Sequence, residues 1–291
     1  MAGELITQSW QIEWDGFLLG TSTDYRIQQL DGWEDLPGLD MGAAAKPSRP
    51  GSWPGRTRAQ SRIVTLSLQV IPDAGRMAEA MRALRAATAV SAGADEAPLA
   101  IRLHDETFLA FGKISGRVIP VNHAYSQGLA PVATLQWLCA DPRRYALAEQ
   151  SVTIGAPTGG SGGLTYPITY PLVYGVAATP SNATCMNNGN EVTNPTLEFT
   201  GPLLTPRLTN NTLGRALEFD IDLLAGQTLT VDTDRGTALL NGTTDRLYTR
   251  SNFSVPVEYF ELGPGANNIT ATAAVFGTGA QVKVTWKSAN L

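Results

Sequence analysis

Two histidines, His104 and His123, are the whole imidazole supply of this 291-residue chain. His104 heads the triplet His104-Asp105-Glu106, which places a base beside two acids. General acid–base chemistry needs such groups converging on one reacting atom from fixed positions. No second histidine stands at ligand spacing, and a hairpin turn between two strands accounts better for the triplet. Asp232-Thr233-Asp234-Arg235-Gly236 has the acidic start of a calcium loop. It lacks the third ligand, puts Gly one place early and has no Glu at the twelfth position, so a tight turn is expected. Asp220 and Asp222 flank Ile221 and would share one strand face, the residue types of a glycoside-cleaving pair. Nothing fixes a second acid at working distance. There is no Gly-x-Ser-x-Gly elbow, no His-Glu-x-x-His and no phosphate loop. The reading is a non-enzyme without cofactor or metal.

Cys139 and Cys185 show no zinc-site spacing. Cys139 falls on the apolar parity of an expected strand, which predicts a buried free thiol and not a disulfide. The start, MAGELITQSW, has neither a basic region nor an apolar stretch of a secretory signal, and no run approaches a membrane helix. Folding in a cytosol without membrane insertion is expected. The five Asn-x-Ser/Thr sequons, at Asn182, Asn210, Asn241, Asn252 and Asn268, then read as turn residues. A net charge of −5 argues against a general nucleic-acid binder, which would carry a basic stripe.

The element that organises the chain is the stretch Ala130 to Tyr145, APVATLQWLCADPRRY. Ala133, Leu135, Trp137 and Cys139 share one parity and are all apolar, so one strand face should be buried. Asp141-Pro142 stops the strand, because proline has no N–H for a ladder. Upstream, Trp10 to Trp14 and Phe17 to Gly20 flank Asp15-Gly16, a strong hairpin signal. Tyr25 to Leu30 is a third strand, turned by Asp31-Gly32. Arg62 to Ile71 alternates cleanly, with Val64, Leu66, Leu68 and Val70 inward. Pro72-Asp73 opens a helix with Asp73 as N-cap, an apolar stripe of Met77, Met81, Leu84 and Thr88, and an end at Ser91-Ala92-Gly93. Leu99 to Leu103, Phe108 to Phe111 and Lys113 to Val121 are further strands.

Glu34 to Gln60 breaks the pattern. It is rich in Pro and Gly and carries Lys46, Arg49, Arg56 and Arg58, with Arg62 just beyond. A loop of this length inside a compact domain is uncommon. It is either a plain surface loop or an arm that orders against a partner, with Trp53 and the arginines as favoured interface residues.

After Tyr145 the composition changes. Glu149 to Pro167 is Gly/Ser/Thr/Pro-rich and reads as a linker or exposed loop. Beyond it come short strand candidates: Tyr170 to Tyr174, Glu191 to Gly201, Leu217 to Ile221, Thr228 to Asp232, Ala238 to Leu240, Tyr259 to Leu262, Asn268 to Phe276 and Gln281 to Lys287. Each is followed by a turn residue, and no helical pattern intervenes, which indicates a β-sandwich. The expected organisation is a mainly β chain: an α+β domain at 1–148 with an arm at 34–60, a linker at 149–166 and a β-sandwich at 167–291.

The ordered motifs resemble the distal tail proteins of long-tailed, non-contractile phages. In the first half these are Trp14-Asp15-Gly16, Tyr25-Arg26-Ile27, Leu30-Asp31-Gly32-Trp33, the Gly/Pro/Arg arm, Arg62-Ile63-Val64-Thr65-Leu66 and Ala140-Asp141-Pro142-Arg143-Arg144-Tyr145. In the second they are Asn187-Asn188-Gly189, the run Asn194 to Pro202, Asn241-Gly242 and the run Leu262 to Ile269. The resemblance covers nearly the whole chain; no single motif is diagnostic. It implies a homohexameric ring at the end of the tail tube, formed by the first domain, with a galectin-like sandwich projecting outward. The arm would be a belt on a neighbouring subunit, using Arg49, Trp53, Arg56 and Arg58. Asp141, Arg143, Arg144 and Tyr145 would form the clasp at the domain exit. The implied partners are further copies of itself, the tail tube protein, the tape measure protein and a tail-tip hub or tail-associated protein, with DNA only in passage through the lumen. The implied place is the virion tail tip, assembled in the host bacterial cytoplasm. An acidic lumen would let DNA pass by repulsion. The sandwich leaves little room for an inserted host-binding module.

Two readings compete with this one. A carbohydrate-binding sandwich would engage cell-wall sugars through Trp286, Tyr248, Tyr259 and Phe253, although such aromatics more often fill a sandwich core. An enzyme with an accessory β-domain lacks its catalytic constellation.

Overall fold

The computed structural model describes residues 2–121, 123–126, 132–157 and 181–291. The chain divides into two compact units, 1–147 with Leu291, and 148–290.

In the first unit, β1 (Gln11–Trp14) and β2 (Phe17–Gly20) pair with Trp14 opposite Phe17. Asp15 and Gly16 both take positive φ, 46° and 79°, as the tight hairpin turn requires. The polar residues of β1 point inward and are used. Gln11 accepts the Thr7 and Gln8 amides through Oε1, and Glu13 accepts the Leu5 amide, so they tie down the N-terminal segment. Next come β3 (Tyr25–Asp31), four two-residue strands β4 (Leu39–Asp40), β5 (Ala44–Ala45), β6 (Ser52–Trp53) and β7 (Arg58–Ala59), and then β8 (Arg62–Val70). Helix α1 (Met77–Ala87), β9 (Ala97–Leu103), β10 (Glu106–Val118), β11 (Val132–Cys139) and β12 (Arg144–Ala146) complete the unit. The sheet runs β2-β1-β9-β10-β11-β8-β3, with β12 added to β10.

The organising strand behaves as its parity dictates. Ala133, Leu135, Trp137 and Cys139 are buried, and they lie across from Leu68, Leu66, Val64 and Arg62 of β8. Helix α1 presses Ala80, Met81 and Leu84 into the same core. Tyr25 donates its hydroxyl to the Ala80 carbonyl at 2.8 Å, and Trp14 its indole N–H to the Ala87 carbonyl at 3.1 Å. Arg117 from β10 reaches the helix C-terminus, donating to the Arg85 and Thr88 carbonyls, where a cation meets the negative end of the helix. The outward parity of β8 and β11 is free of charge: Ile63, Thr65, Ser67 and Gln69, then Val132, Thr134, Gln136 and Leu138.

Three expectations need correction in this unit. Asp73 is not the N-cap. Gly75 takes φ +83°, which no helix accommodates, so Asp73–Arg76 is a turn and the helix starts after Arg76 without a side-chain cap. The strands expected at 108–111 and 113–121 are one strand. Gly112 passes through it against the Leu138 carbonyl and Cys139 sulfur, where a Cβ would collide, and a bulge falls between Ile114 and Gly116. The helix ends at Ala87, with Thr88 as its C-cap, ahead of Ser91-Ala92-Gly93.

In the second unit, β13 (Gln150–Gly155), β14 (Asn182–Asn187), β15 (Thr196–Thr200), β16 (Leu203–Leu204), β17 (Arg207–Asn210), β18 (Arg215–Glu218) and β19 (Asp222–Leu223) come first. Then come β20 (Thr228–Asp232), β21 (Thr237–Leu240), β22 (Thr244–Asp245), two 3-10 turns at Leu247–Thr249 and Val257–Tyr259, β23 (Gly265–Thr272), β24 (Val275–Phe276) and β25 (Gln281–Trp286). One sheet runs β13-β25-β15-β20-β21-β22 and another β14-β23-β17-β18, with β19-β16-β24 as a smaller third. Their inward faces share a core built around Phe199 and Phe219, whose rings meet edge-on at 6.0 Å, flanked by Leu197, Val231, Leu208, Ile269 and Val284. This is a β-sandwich.

Gln150–Gly155, read from composition as linker, pairs along its full length with β25. The rest of that tract, 158–166, and the strand expected at Tyr170–Tyr174 lie outside the described residues. Tyr259–Leu262 is no strand. Its first residue closes a 3-10 turn, and only Leu262 bridges, to Thr193.

Asn241-Gly242 is an exposed turn with both φ positive, 50° and 72°, whereas three other asparagines are buried and bind backbone. Asn187 donates to the Glu191 carbonyl and accepts the Gly189 and Ala289 amides. Asn267 accepts the Gly263 amide and donates to the Gly263 and Gly265 carbonyls, and Asn210 donates to Asn267 and to the Glu261 carbonyl. All three are fully buried, so each side-chain amide serves backbone groups that no ladder reaches. Gly189 is forced as well, since a Cβ there would overlap the Ala289 carbonyl oxygen.

Candidate functional site

The residues of catalytic type do not converge. His104 sits exposed at the β9–β10 turn with φ 52°, with Asp105 beside it, and Glu106 begins β10. Asp232 accepts the Asp234 and Arg235 amides on one carboxylate oxygen, closing the β20–β21 turn. Asp220 lies between strands and Asp222 opens β19, both exposed. Among the described residues no group of three or more His, Cys, Asp or Glu is placed to hold a metal. Cys139 and Cys185 are buried free thiols, and burial pushes each up to about 12. That places both far from nucleophilic reactivity at neutral pH.

What the first unit does build is an anchored arm. Leu39 and Asp40 pair with Ala59 and Arg58, then Ala44 and Ala45 pair with Trp53 and Ser52, and the Lys46 amide reaches the Gly51 carbonyl. The segment is thus a long, thin hairpin. Gly55 lies so close to the Gly42 carbonyl that a side chain there would collide with it. Arg49, Trp53, Arg56 and Arg58 are all exposed, Trp53 by 56 %, and the three guanidinium groups make no hydrogen bond or ion pair with the described chain. Lys46 holds its ammonium 5.0 Å from the centre of the Trp53 ring. Leu36 and Met41 add exposed apolar surface.

The root of this arm is Arg62. Composition groups it with the arm's cations, yet it is buried at the start of β8. Its Nη1 donates to the carbonyls of Gly32, Trp33 and Asp35, at 2.8, 2.9 and 2.7 Å, and its Nε to Pro142 at 2.8 Å. One side chain therefore fixes where the arm leaves the sheet and where the Asp141-Pro142 stop sits. Burial, and next the Arg144 guanidinium, lower its proton affinity. Its position on a strand edge, between Gln60 and an alternating run, gives no sign of this in the sequence.

The DPRRY residues divide into two groups. Asp141 accepts the Arg143 amide and guanidinium on Oδ1, and the Tyr145 hydroxyl on Oδ2 at 2.5 Å, while Arg143 lies 5.5 Å from the Tyr145 ring. Arg144 turns the other way. It is nearly buried, pairs with Glu34 at 2.6 Å and lies over the rings of Trp33 and Phe108 at 5.6 and 5.5 Å. Glu34 opens the arm, so Arg62 and Arg144 grip its first residues together.

In the second unit Trp286 is core, donating its indole N–H to the Met186 carbonyl. The other three aromatics are not. Tyr248, Phe253 and Tyr259 are exposed by 75, 87 and 60 %, because the 245–262 segment leaves the strands and runs as turns over the sandwich.

Residues 188–289 match the family model of the siphovirus-type tail component, C-terminal domain. Over 97 % of its length the chain superposes on 99 % of the SPP1 Dit protein, described as a paradigm of the hub adsorption apparatus in phages infecting Gram-positive bacteria, with TM-score 0.66 and 13 % identity. A chain of the phage P2 baseplate in its activated conformation with calcium matches at TM-score 0.50 and 13 % identity, covering 94 % of this chain and 97 % of that one. No curated protein matches the sequence.

Proposed function

We propose that this chain, which has the Dit fold and carries a siphovirus-type tail component domain, is a structural ring protein of a phage tail tip. In this reading six copies form a ring that joins the tail tube to the baseplate or tip hub, and the ring leaves a channel for DNA. The observation that carries it is the fold likeness to SPP1 Dit along nearly the whole chain. The protein is a connector and not an enzyme. Its partners are its own copies, the tail tube protein, the tape measure protein and a hub or tail-associated protein, within the virion.

The arm supports self-association. A hairpin with exposed Arg49, Trp53, Arg56 and Arg58, rooted by a buried arginine, is pre-organised to reach a neighbour, which lowers the ordering cost of docking. Copies with net charge −5 offer such an arm carboxylates to meet. DNA passage needs a wall that does not bind phosphates. The net negative charge meets that need.

The test is mass measurement with negative-stain electron microscopy of the purified chain, alone and with tail tube protein. Six-fold rings with an open centre are expected. Arg56→Glu with Arg58→Glu should abolish them while the subunit stays folded by circular dichroism. Rings that persist in the double variant overturn the arm as the assembly device, and a monomer that ignores the tail tube protein overturns the ring.

A further inference from the structure

One of the exposed aromatics of the 245–262 segment, Tyr248, stands at the wall of a hollow in the second unit. The hollow, of about 460 Å³, is lined by Asp245, Leu247, Tyr248, Arg250, Pro256 and Glu258 among others. Its size is within the roughly 300–1,000 Å³ of small-molecule sites.

The walls are held in place from behind. Val257 and Phe260 are buried and pin the second 3-10 turn. Arg250 donates Nη1 to the Ser254 and Val255 carbonyls at 2.9 and 3.2 Å, leaving its Nε and Nη2 uncommitted. Tyr248 is braced by Arg246, whose Nη1 donates to the phenol oxygen at 2.7 Å. Asp245 spends Oδ1 on the Leu247 amide and keeps Oδ2 free, and the Glu258 carboxylate accepts no hydrogen bond from the described chain.

The balance of groups selects the ligand class. An anion would meet two carboxylates against one lining guanidinium. A metal would find no cluster of ligands, and a wholly apolar ligand would strand the carboxylates in a dry contact. A neutral sugar suits each wall. Its C–H face packs on an exposed aromatic ring and the Leu247–Pro256 surface, while its hydroxyls donate to Asp245 and Glu258 and accept from Arg250. We propose that this hollow is a carbohydrate-binding site, with Tyr248 as the stacking platform and Asp245, Glu258 and Arg250 as the hydroxyl partners. The site does not depend on the ring, because all of its residues belong to the second unit.

The test is titration of the full-length protein with lactose, cellotriose and chitotriose, followed by ligand-observed NMR and calorimetry. At least one probe should bind, and Tyr248→Ala and Glu258→Gln should each weaken it by about tenfold. Tyr248→Phe should retain most of the affinity. Both tested side chains are exposed, so circular dichroism and melting should be unchanged. No binding of any of the three sugars at about 20 mM, far above the roughly millimolar dissociation constants of weak sites, overturns the proposal. Equal binding by wild type and the two weakened variants overturns it too.

Discussion

Replacing Arg62 by methionine removes the arm's root and leaves a side chain of similar length. Four carbonyls, of Gly32, Trp33, Asp35 and Pro142, lose their donor at once. Taken singly, hydrogen bonds to a charged group contribute about 1.5–3 kcal/mol each. Their sum would rival the entire stability of a domain, about 5–15 kcal/mol, so it overstates the loss. Nη1 has two hydrogens for three acceptors, hence one bond is shared. Nη2 is buried without a partner, and the Arg144 guanidinium stands nearby, so the wild-type side chain carries its own penalty. Removing one partner of a buried charged contact costs about 3–5 kcal/mol, and that is the expected loss here, confined to the first unit. Guanidinium denaturation followed by tryptophan fluorescence reads it, because Trp33 is buried against this contact. The arm should loosen together with the unit, and trypsin cleavage after the exposed Arg56 and Arg58 should rise several-fold under native conditions. Arg62→Lys should recover part of the stability, since an ammonium reaches some of the carbonyls but cannot match the fork. A methionine variant that loses less than about 1 kcal/mol, with unchanged trypsin cleavage, would refute the assignment of Arg62 as the root.

Three further outcomes follow from buried groups. Tyr25 is pushed up from 10.0 to about 12, mainly by burial. Its folded value lies above the unfolded one, so the stabilisation is complete below about pH 10 and is lost as pH rises towards 12. An alkaline titration of stability should show this slope in the wild type and lose it in Tyr25→Phe, which should also cost about 1 kcal/mol at neutral pH for the lost bond to Ala80. Both cysteines should resist alkylation by iodoacetamide at pH 8 in the native protein and react fully in denaturant; fast labelling of the folded chain would contradict their burial. Asn267→Ala strips bonded backbone groups around Gly263 and Gly265 and should destabilise the second unit by about 2–4 kcal/mol. Equal melting of variant and wild type would count against the asparagine bracket.

Periodicity made most of the sheet legible. The parity of Ala133 to Cys139 and of Val64 to Val70 matches the buried set residue for residue, because an amphipathic strand has one way to face a core. Asp15-Gly16 worked for a comparable reason, since both φ values are positive there. Elements without a hydrophobic argument were hidden. Strand β13 reads Gln-Ser-Val-Thr-Ile-Gly beside a glycine run, and only its pairing to β25 makes it a strand. The helix start was misplaced because Asp73 is a good capping residue by type, while one glycine at positive φ decided the backbone.

Polar residues misled in a consistent way. Asn210 reads as a turn residue and Arg62 as part of a basic arm, yet both are buried. The physical cause is shared. Irregular backbone that enters a core leaves carbonyl and amide groups without ladder partners, and a side-chain amide or guanidinium is the densest source of partners available. Sequence alone shows the donor but not the carbonyls that converge on it, because these come from distant segments such as Trp33 and Pro142. The aromatics erred in the opposite direction. Tyr248, Phe253 and Tyr259 have the types of core residues and stand in solvent, while Trp286 is buried. A rooted arm and the hollow beside the exposed Tyr248 are therefore the two places where local chemistry departs from the demands of folding, and both are surfaces that a partner or a ligand would have to complete.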